Sequence, residues 1–167
     1  ASEFFFGENA QANQALYYRI WETLAEHFKD DPWVAGYDLL NEAYSSYRYE
    51  ATRPAEELHQ LLWDVYDTAY QKIRRIDQNH VIIMEAVWFA EDLPDPAQYG
   101  WENVMYEYHH YCWGDYDNVN GSQVNDIKGR LNDIRKADYN VPGYLGEFTF
   151  FNNLKAWEKA LALVDDT

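Results

Sequence analysis

Apolar residues along this chain recur in two alternating rhythms. In QALYYRIWETLAEHF (residues 14–28), Leu16, Ile20, Leu24 and Phe28 fall at four-residue steps, a helical stripe. The next segment, VAGYDLLNEAY (34–44), is a compact apolar run interrupted by Asp38 and stopped by the polar pair Asn41-Glu42, the pattern of a buried strand. PAEELHQLLWDVYDTAYQKIRRID (54–77) returns to three- and four-residue steps through Leu58, Leu62, Val65, Ala69, Ile73 and Ile76. Its Pro54 suits a first helical turn, where a missing N–H costs nothing. HVIIMEAVW (80–88), with the β-branched run Val81-Ile82-Ile83, and NVMYEYHHY (103–111) read as strands. SQVNDIKGRLNDIRKADY (122–139) sets Val124, Ile127, Leu131 and Ile134 on one helical face. VPGYLGEF (141–148) is a short strand, and NLKAWEKALALV (153–164) closes with Leu154, Trp157, Leu161 and Val164 on one face.

Strands that alternate with helices imply βαβ crossovers and a parallel sheet covered by helices. Two α/β architectures compete, the (β/α)8 TIM barrel and the doubly wound open sheet. No glycine-rich phosphate loop follows any strand, which weakens the nucleotide-binding open sheet. Polar residues gather where strands end: Asn41-Glu42, Glu85 to Trp88, His109 to Tyr111, and Glu147. Barrel enzymes place their chemistry at those ends, so the barrel is the expected fold. A complete barrel needs about 250 residues, so these 167 residues are expected to be an incomplete portion of one.

Charge and composition narrow the partners. The net charge of −16 repels a phosphate backbone or an anionic membrane, so neither nucleic acid nor membrane is expected as a partner. Aromatic residues make up 18% of the chain, enough to pack a core and also to stack on ligands with flat apolar faces. The single cysteine, Cys112, rules out an intrachain disulfide. No apolar run approaches membrane-spanning length. No charged-then-apolar leader precedes ASEFFFGENA, which reads as a segment whose upstream part is absent.

Among candidate catalytic groups, Glu42 and Glu147 each close a strand, in LLNE and YLGE. If their strand ends share one rim, two carboxyls about 5–5.5 Å apart suit retaining glycoside hydrolysis. Alternation along YEYHHY puts Glu107, His109 and Tyr111 on one face and His110 on the other. That makes His109-His110 a poor chelating pair, and no metal site is expected. His109 and Tyr111 together at a rim could orient and hydrogen-bond a carboxylate, but on spacing alone the commoner role of such groups is packing for Tyr and a satisfied structural position for a lone His. Trp88 and Trp113, just past strands, are either sugar platforms or core. No G-x-S-x-G, H-E-x-x-H or C-x-x-C template is present.

FKDDPWVAGYDLLNEAY resembles the fourth-strand segment of the family 5 glycoside hydrolases, the cellulase family, in which the strand finishes in Asn-Glu. In order along the chain, HVIIMEAVW resembles the fifth strand with its Trp, HHY the sixth-strand His-x-Tyr, and YLGEF the seventh-strand Gly-Glu-Phe. The resemblance covers nearly the whole chain and implies that residues 1–167 are part of a single catalytic domain, strands four to seven of a barrel. It implies Glu42 as acid/base, Glu147 as nucleophile, Asn41 bonding the sugar 2-hydroxyl, His109 beside the acid/base, Tyr111 donating to the nucleophile, and Trp88 stacking near the leaving group. The implied activity is an endo-β-1,4-glucanase on a β-linked polysaccharide or oligosaccharide, secreted, with no cofactor. A β-mannanase, a xyloglucanase, and a glycan-binding or structural barrel fragment without turnover are the alternatives. Ala43 stands where the family has proline after Asn-Glu. The family's early-strand Arg, third-strand His and eighth-strand Trp have no counterpart, and are expected to belong to the remainder of the barrel.

Overall fold

A computed structural model of the protein describes residues 2–43, 53–86, 89–111, 122–151 and 153–165. In chain order these form α1 (Ser2–Phe5), α2 (Ala10–Phe28), β1 (Gly36–Asp38), α3 (Ala55–Arg74), β2 (Val81–Ala86), β3 (Val104–Tyr111), α4 (Ser122–Ala137), β4 (Gly143–Thr149) and α5 (Leu154–Asp165). Short 3-10 turns at Ala90–Asp92 and Pro96–Gln98 lead from β2 toward β3. Among the described residues no helix is long and apolar enough to cross a membrane.

The strands form one parallel sheet in the order β1-β2-β3-β4. That order, with no switch point among the described strands, is the one a barrel wall has. A doubly wound sheet reverses direction at a switch point, whereas a barrel adds each new strand beside the last. The sheet is therefore part of a (β/α)8 barrel.

Its two faces differ as a barrel wall should. Ile82, Met84 and Ala86 of β2 and Val104, Tyr106 and Tyr108 of β3 are buried. They join the core that α3 fills with Leu62, Tyr66, Ala69 and Ile73. Each fully buried aliphatic side chain here contributes about 1.5–3 kcal/mol. The alternate positions, Asp38, Ile83, Glu85, Met105, Glu107 and His109, face the barrel interior.

At the strand starts, Asp77 accepts hydrogen bonds from the Tyr37 hydroxyl (2.6 Å) and from the backbone N–H groups of Asn79 (2.8 Å) and His80 (3.1 Å). The His80 ring lies 2.6 Å away. Burial alone would raise the Asp77 pKa, but these partners hold it down at about 2. Arg74 binds the carbonyls of His80 (2.8 Å) and Asn103 (2.9 Å), tying the end of α3 to the beginnings of β2 and β3.

Two expected helical faces are corrected. In α2, Leu16 and Ile20 are exposed. Phe28, at the end of the expected stripe, does pack inward, but earlier in the helix Tyr17 and Trp21 take the place of Leu16 and Ile20, and the Trp21 ring lies 6.0 Å from that of Tyr37. In α5, Leu154 and Leu161 are exposed, while Ala156 and Ala160 are buried and let the helix approach Phe150 and Ile127 closely. In α2 the larger rings decided which stripe turned inward, whereas in α5 Trp157 and Val164 of the expected face do pack and the two small alanines shift the contact away from Leu154 and Leu161. The strand of 34–44 is also shorter than its apolar run, with ladder pairing over Gly36–Asp38.

The register between β3 and β4 shifts once. Tyr108 pairs with Leu145, but His109 pairs with Glu147, so Gly146 is an extra residue on β4. A Cβ at Gly146 would lie 1.5 Å from Glu107 Oε1 and 3.0 Å from its Cγ. Glu107 is buried, so a side chain there has no room. Gly146→Ala is expected to destabilise the fold by about 1–3 kcal/mol in urea unfolding. Gly129→Ala, on α4 with nothing within 4 Å of its Cβ, is the control and should gain about 0.5–1 kcal/mol.

Candidate active site

The bulge decides where Glu147 points. Strict alternation along β4 would put Leu145, Glu147 and Thr149 on one face and Tyr144, Gly146 and Phe148 on the other. With Gly146 bulged out, Leu145 and Phe148 both turn toward the helices. Glu147 then comes level with His109 on the interior face. The Tyr111 hydroxyl donates to Glu147 Oε2 at 2.5 Å, and the bond to that carboxylate, with some burial, pushes the phenol up to about 12.

Glu42 arrives from the other end of the sheet. Beyond β1, the Leu39 N–H donates to the Ile83 carbonyl (3.1 Å), carrying the chain along β2 to Asn41-Glu42. Glu42 takes a left-handed backbone, φ +44°, which costs a non-glycine residue roughly 1–2 kcal/mol. Its N–H donates to Glu85 Oε2, and its own Oε1 lies 3.0 Å from His109 Nδ1.

His109 is thus the meeting point. Its Nδ1 lies 3.3 Å from Glu85 Oε1 and 3.7 Å from Glu147 Oε2, and its Nε2 lies 3.5 Å from Glu107 Oε1. Burial would lower its pKa, but the hydrogen bond to Glu42 and the charges of Glu85, Glu147 and Glu107 outweigh it and raise it. Burial pushes Glu85 up to about 7 against the pull of the Glu42 N–H and His109. Burial, with a hydrogen bond to Asp38 and the Asp38 charge, takes Glu107 to about 7. Carboxylate oxygens of Glu42 and Glu147 and a ring nitrogen of His109 all lie within 4.8 Å of one another, as do ligand atoms of Glu85, Glu107 and His109. Either triplet has the spacing to hold a cation.

Of the residues singled out from sequence, Glu42, Glu147, His109 and Tyr111 come together. Asn41 stands exposed beside Glu42. Trp88 and Trp113 lie outside the described residues. His110 faces the other way, its ring 5.7 Å from that of Phe150. Glu85 and Glu107 are the groups that sequence reasoning left without a role. The available signal was chemical: a single acid inside the apolar run VIIMEA, and another two residues before His109 on the same face.

The family profile of Cellulase (glycosyl hydrolase family 5) matches residues 4–165. The chain belongs to that family. Among its relatives, the endoglycoceramidase of Hydra vulgaris is 29% identical over 177 residues, covering 92% of this chain and 33% of that protein. The beta-xylosidase of Phanerodontia chrysosporium is 34% identical over 94 residues, 55% of this chain and 17% of that protein. Among solved structures, a GH5 xyloglucan-specific endo-β-1,4-glucanase from a metagenomic library, in complex with cellotriose, superposes with a TM-score of 0.71 at 22% identity. It covers 95% of this chain and 53% of that one, which supports the barrel fold. This family 5 chain spans a third or less of the length of these two curated relatives.

The interior acids make stability depend on pH. Glu107 has a folded pKa of about 7, above its ordinary 4.5. The stability it contributes when protonated is fully present below that ordinary value and is lost as pH rises through the folded one. The loss is about 1.4 kcal/mol per pH unit in that window. Glu107→Gln is neutral at every pH and donates to Asp38 through its amide. It should shrink the drop in urea midpoint between about pH 5 and about pH 7.5, and an unchanged drop would show that Glu107 does not titrate there.

Proposed function

We propose that this protein is a retaining glycoside hydrolase that cleaves internal β-1,4 bonds of a glucan. The observation that carries the reading is the facing pair Glu42 and Glu147, with carboxylate oxygens within 4.8 Å of each other. So close an approach of one oxygen from each acid favours the pairing of retaining enzymes, whose carboxyls stand about 5–5.5 Å apart, over the roughly 6.5–9.5 Å that an inverting water requires. Glu147 attacks the anomeric carbon and the glycosidic C–O bond breaks, while Glu42 gives its proton to the departing oxygen. Glu42 then takes a proton from water as the water oxygen attacks the same carbon and the bond to Glu147 breaks. Tyr111 orients Glu147, and His109 holds the Glu42 carboxylate. Asn41, exposed at the rim, bonds the sugar 2-hydroxyl, and Trp88 supplies a stacking platform. The chemistry needs no metal or organic cofactor. The remaining strands of the barrel complete the cleft, and a polymeric substrate fits secretion.

A second substrate reading is favoured by one observation: the Hydra relative, matched over 92% of this chain, is an endoglycoceramidase. The same pair of acids would then cleave the bond between a glycan and ceramide. Reducing-sugar release from carboxymethylcellulose, β-mannan and xyloglucan, beside ceramide release from a glycosylceramide in detergent, separates the readings. The glucan reading expects carboxymethylcellulose to lead. Proton NMR of the first-formed product should show the β-anomer, and an α-anomer would replace retention by inversion. Glu147→Gln should lower turnover by about 10³-fold or more. Hydrolysis at near-normal rate in that variant would remove Glu147 from the mechanism.

A further inference from the structure

We propose that Glu85 is the positioning residue for the acid/base: one carboxylate oxygen holds the Glu42 main chain and the other steers His109 onto the Glu42 side chain. The proposal rests on the reading of Glu42 as acid/base.

Glu85 is fully buried in an otherwise apolar strand, so no substrate touches it. Its Oε2 accepts the N–H of Glu42, the residue with a left-handed backbone that needs holding from outside. Its Oε1 has no hydrogen-bond partner of its own among the described residues and lies 3.3 Å from His109 Nδ1. The same Nδ1 lies 3.0 Å from Glu42 Oε1. One buried side chain therefore reaches the acid/base twice, through its backbone and through its imidazole partner. The post itself is rigid. The Glu85 N–H donates to the Tyr66 hydroxyl, which in turn lies within hydrogen-bond reach of the Glu85 carbonyl, both at 3.2 Å, and Tyr66 is fully buried on α3. The charged and titratable groups facing this carboxylate are Asp38, Glu42, Glu107 and His109, with Tyr66 behind it and Glu147 reached through His109.

A residue that aims the acid should matter only when the leaving group needs a proton. The test uses the full-length enzyme and aryl β-glycosides of whichever sugar the substrate panel selects, comparing phenol with 2,4-dinitrophenol as leaving group. Glu85→Met removes both contacts at similar volume, and Glu85→Gln keeps an acceptor for the Glu42 N–H. We expect Glu85→Met to lower kcat/KM on the phenyl glycoside by about 100-fold. On the dinitrophenyl glycoside the loss should be less than about threefold, with Glu85→Gln intermediate. Equal losses on both substrates, or none, would overturn the proposal, as would failure of both variants to unfold cooperatively, which would make Glu85 a folding residue. Glu42→Ala is measured alongside. If it shows the leaving-group split and the Glu85 variants do not, the positioning role alone is wrong. If Glu42→Ala shows no split, the acid/base assignment falls and takes the proposal with it.

Discussion

His109, 1% exposed, has carboxylate oxygens of Glu42, Glu85, Glu107 and Glu147 within 3.0 to 3.7 Å of its ring nitrogens. Four acids gathered in one place repel each other strongly unless a cation or protons intervene. An imidazolium with both nitrogens facing oxygens is one way to relieve that repulsion, and protons kept on the two buried acids are the other. The rest of the site follows from this constraint. Glu42 comes from just beyond β1, Glu85 from β2, Glu107 and His109 from β3 and Glu147 from β4, so every strand contributes to a shared point. Parallel register does the aligning: Glu85 lies level with Glu107, and His109 with Glu147.

The two ends of the sheet are built from different chemistry. At the strand starts, Asp77 and Arg74 are saturated with hydrogen bonds to backbone and neighbouring side chains, which suits a role in holding elements together. At the strand ends, Glu85 Oε1 and His109 Nε2 are buried without hydrogen-bond partners of good geometry among the described residues. Groups left short of partners away from water lower stability. A fold tolerates them where reactivity is wanted and secures itself elsewhere.

Element types were legible because their rhythms were long and clean. In 54–77, Leu58, Leu62, Val65, Ala69 and Ile73 repeat for about four turns, and each is buried in α3. The grouping of polar residues at strand ends pointed toward a barrel because it follows from chain direction, which a parallel sheet preserves. Faces were less legible on α2 and α5. Leu16 obeys the helical period of α2, yet Trp21 packs in its place, and on α5 only Trp157 and Val164 of the expected face pack while Leu154 and Leu161 stay exposed, since period says nothing about which of two adjacent stripes carries more area. The bulge was harder still. Its trace is the three-residue step from Leu145 to Phe148 with a glycine between them, too brief to separate from noise. Glu85 and Glu107 went unassigned because an acid's partner lies on another strand, and spacing along one chain does not reveal it.

The backbone at residue 42 favours a side chain other than the one it carries. Glycine or asparagine occupies a left-handed turn more comfortably than glutamate does. A version of this protein selected for thermal endurance alone would drift away from glutamate at that position. With Glu42 as the proposed acid/base, an acid on this unfavourable local geometry is a stability–activity conflict confined to a single peptide unit.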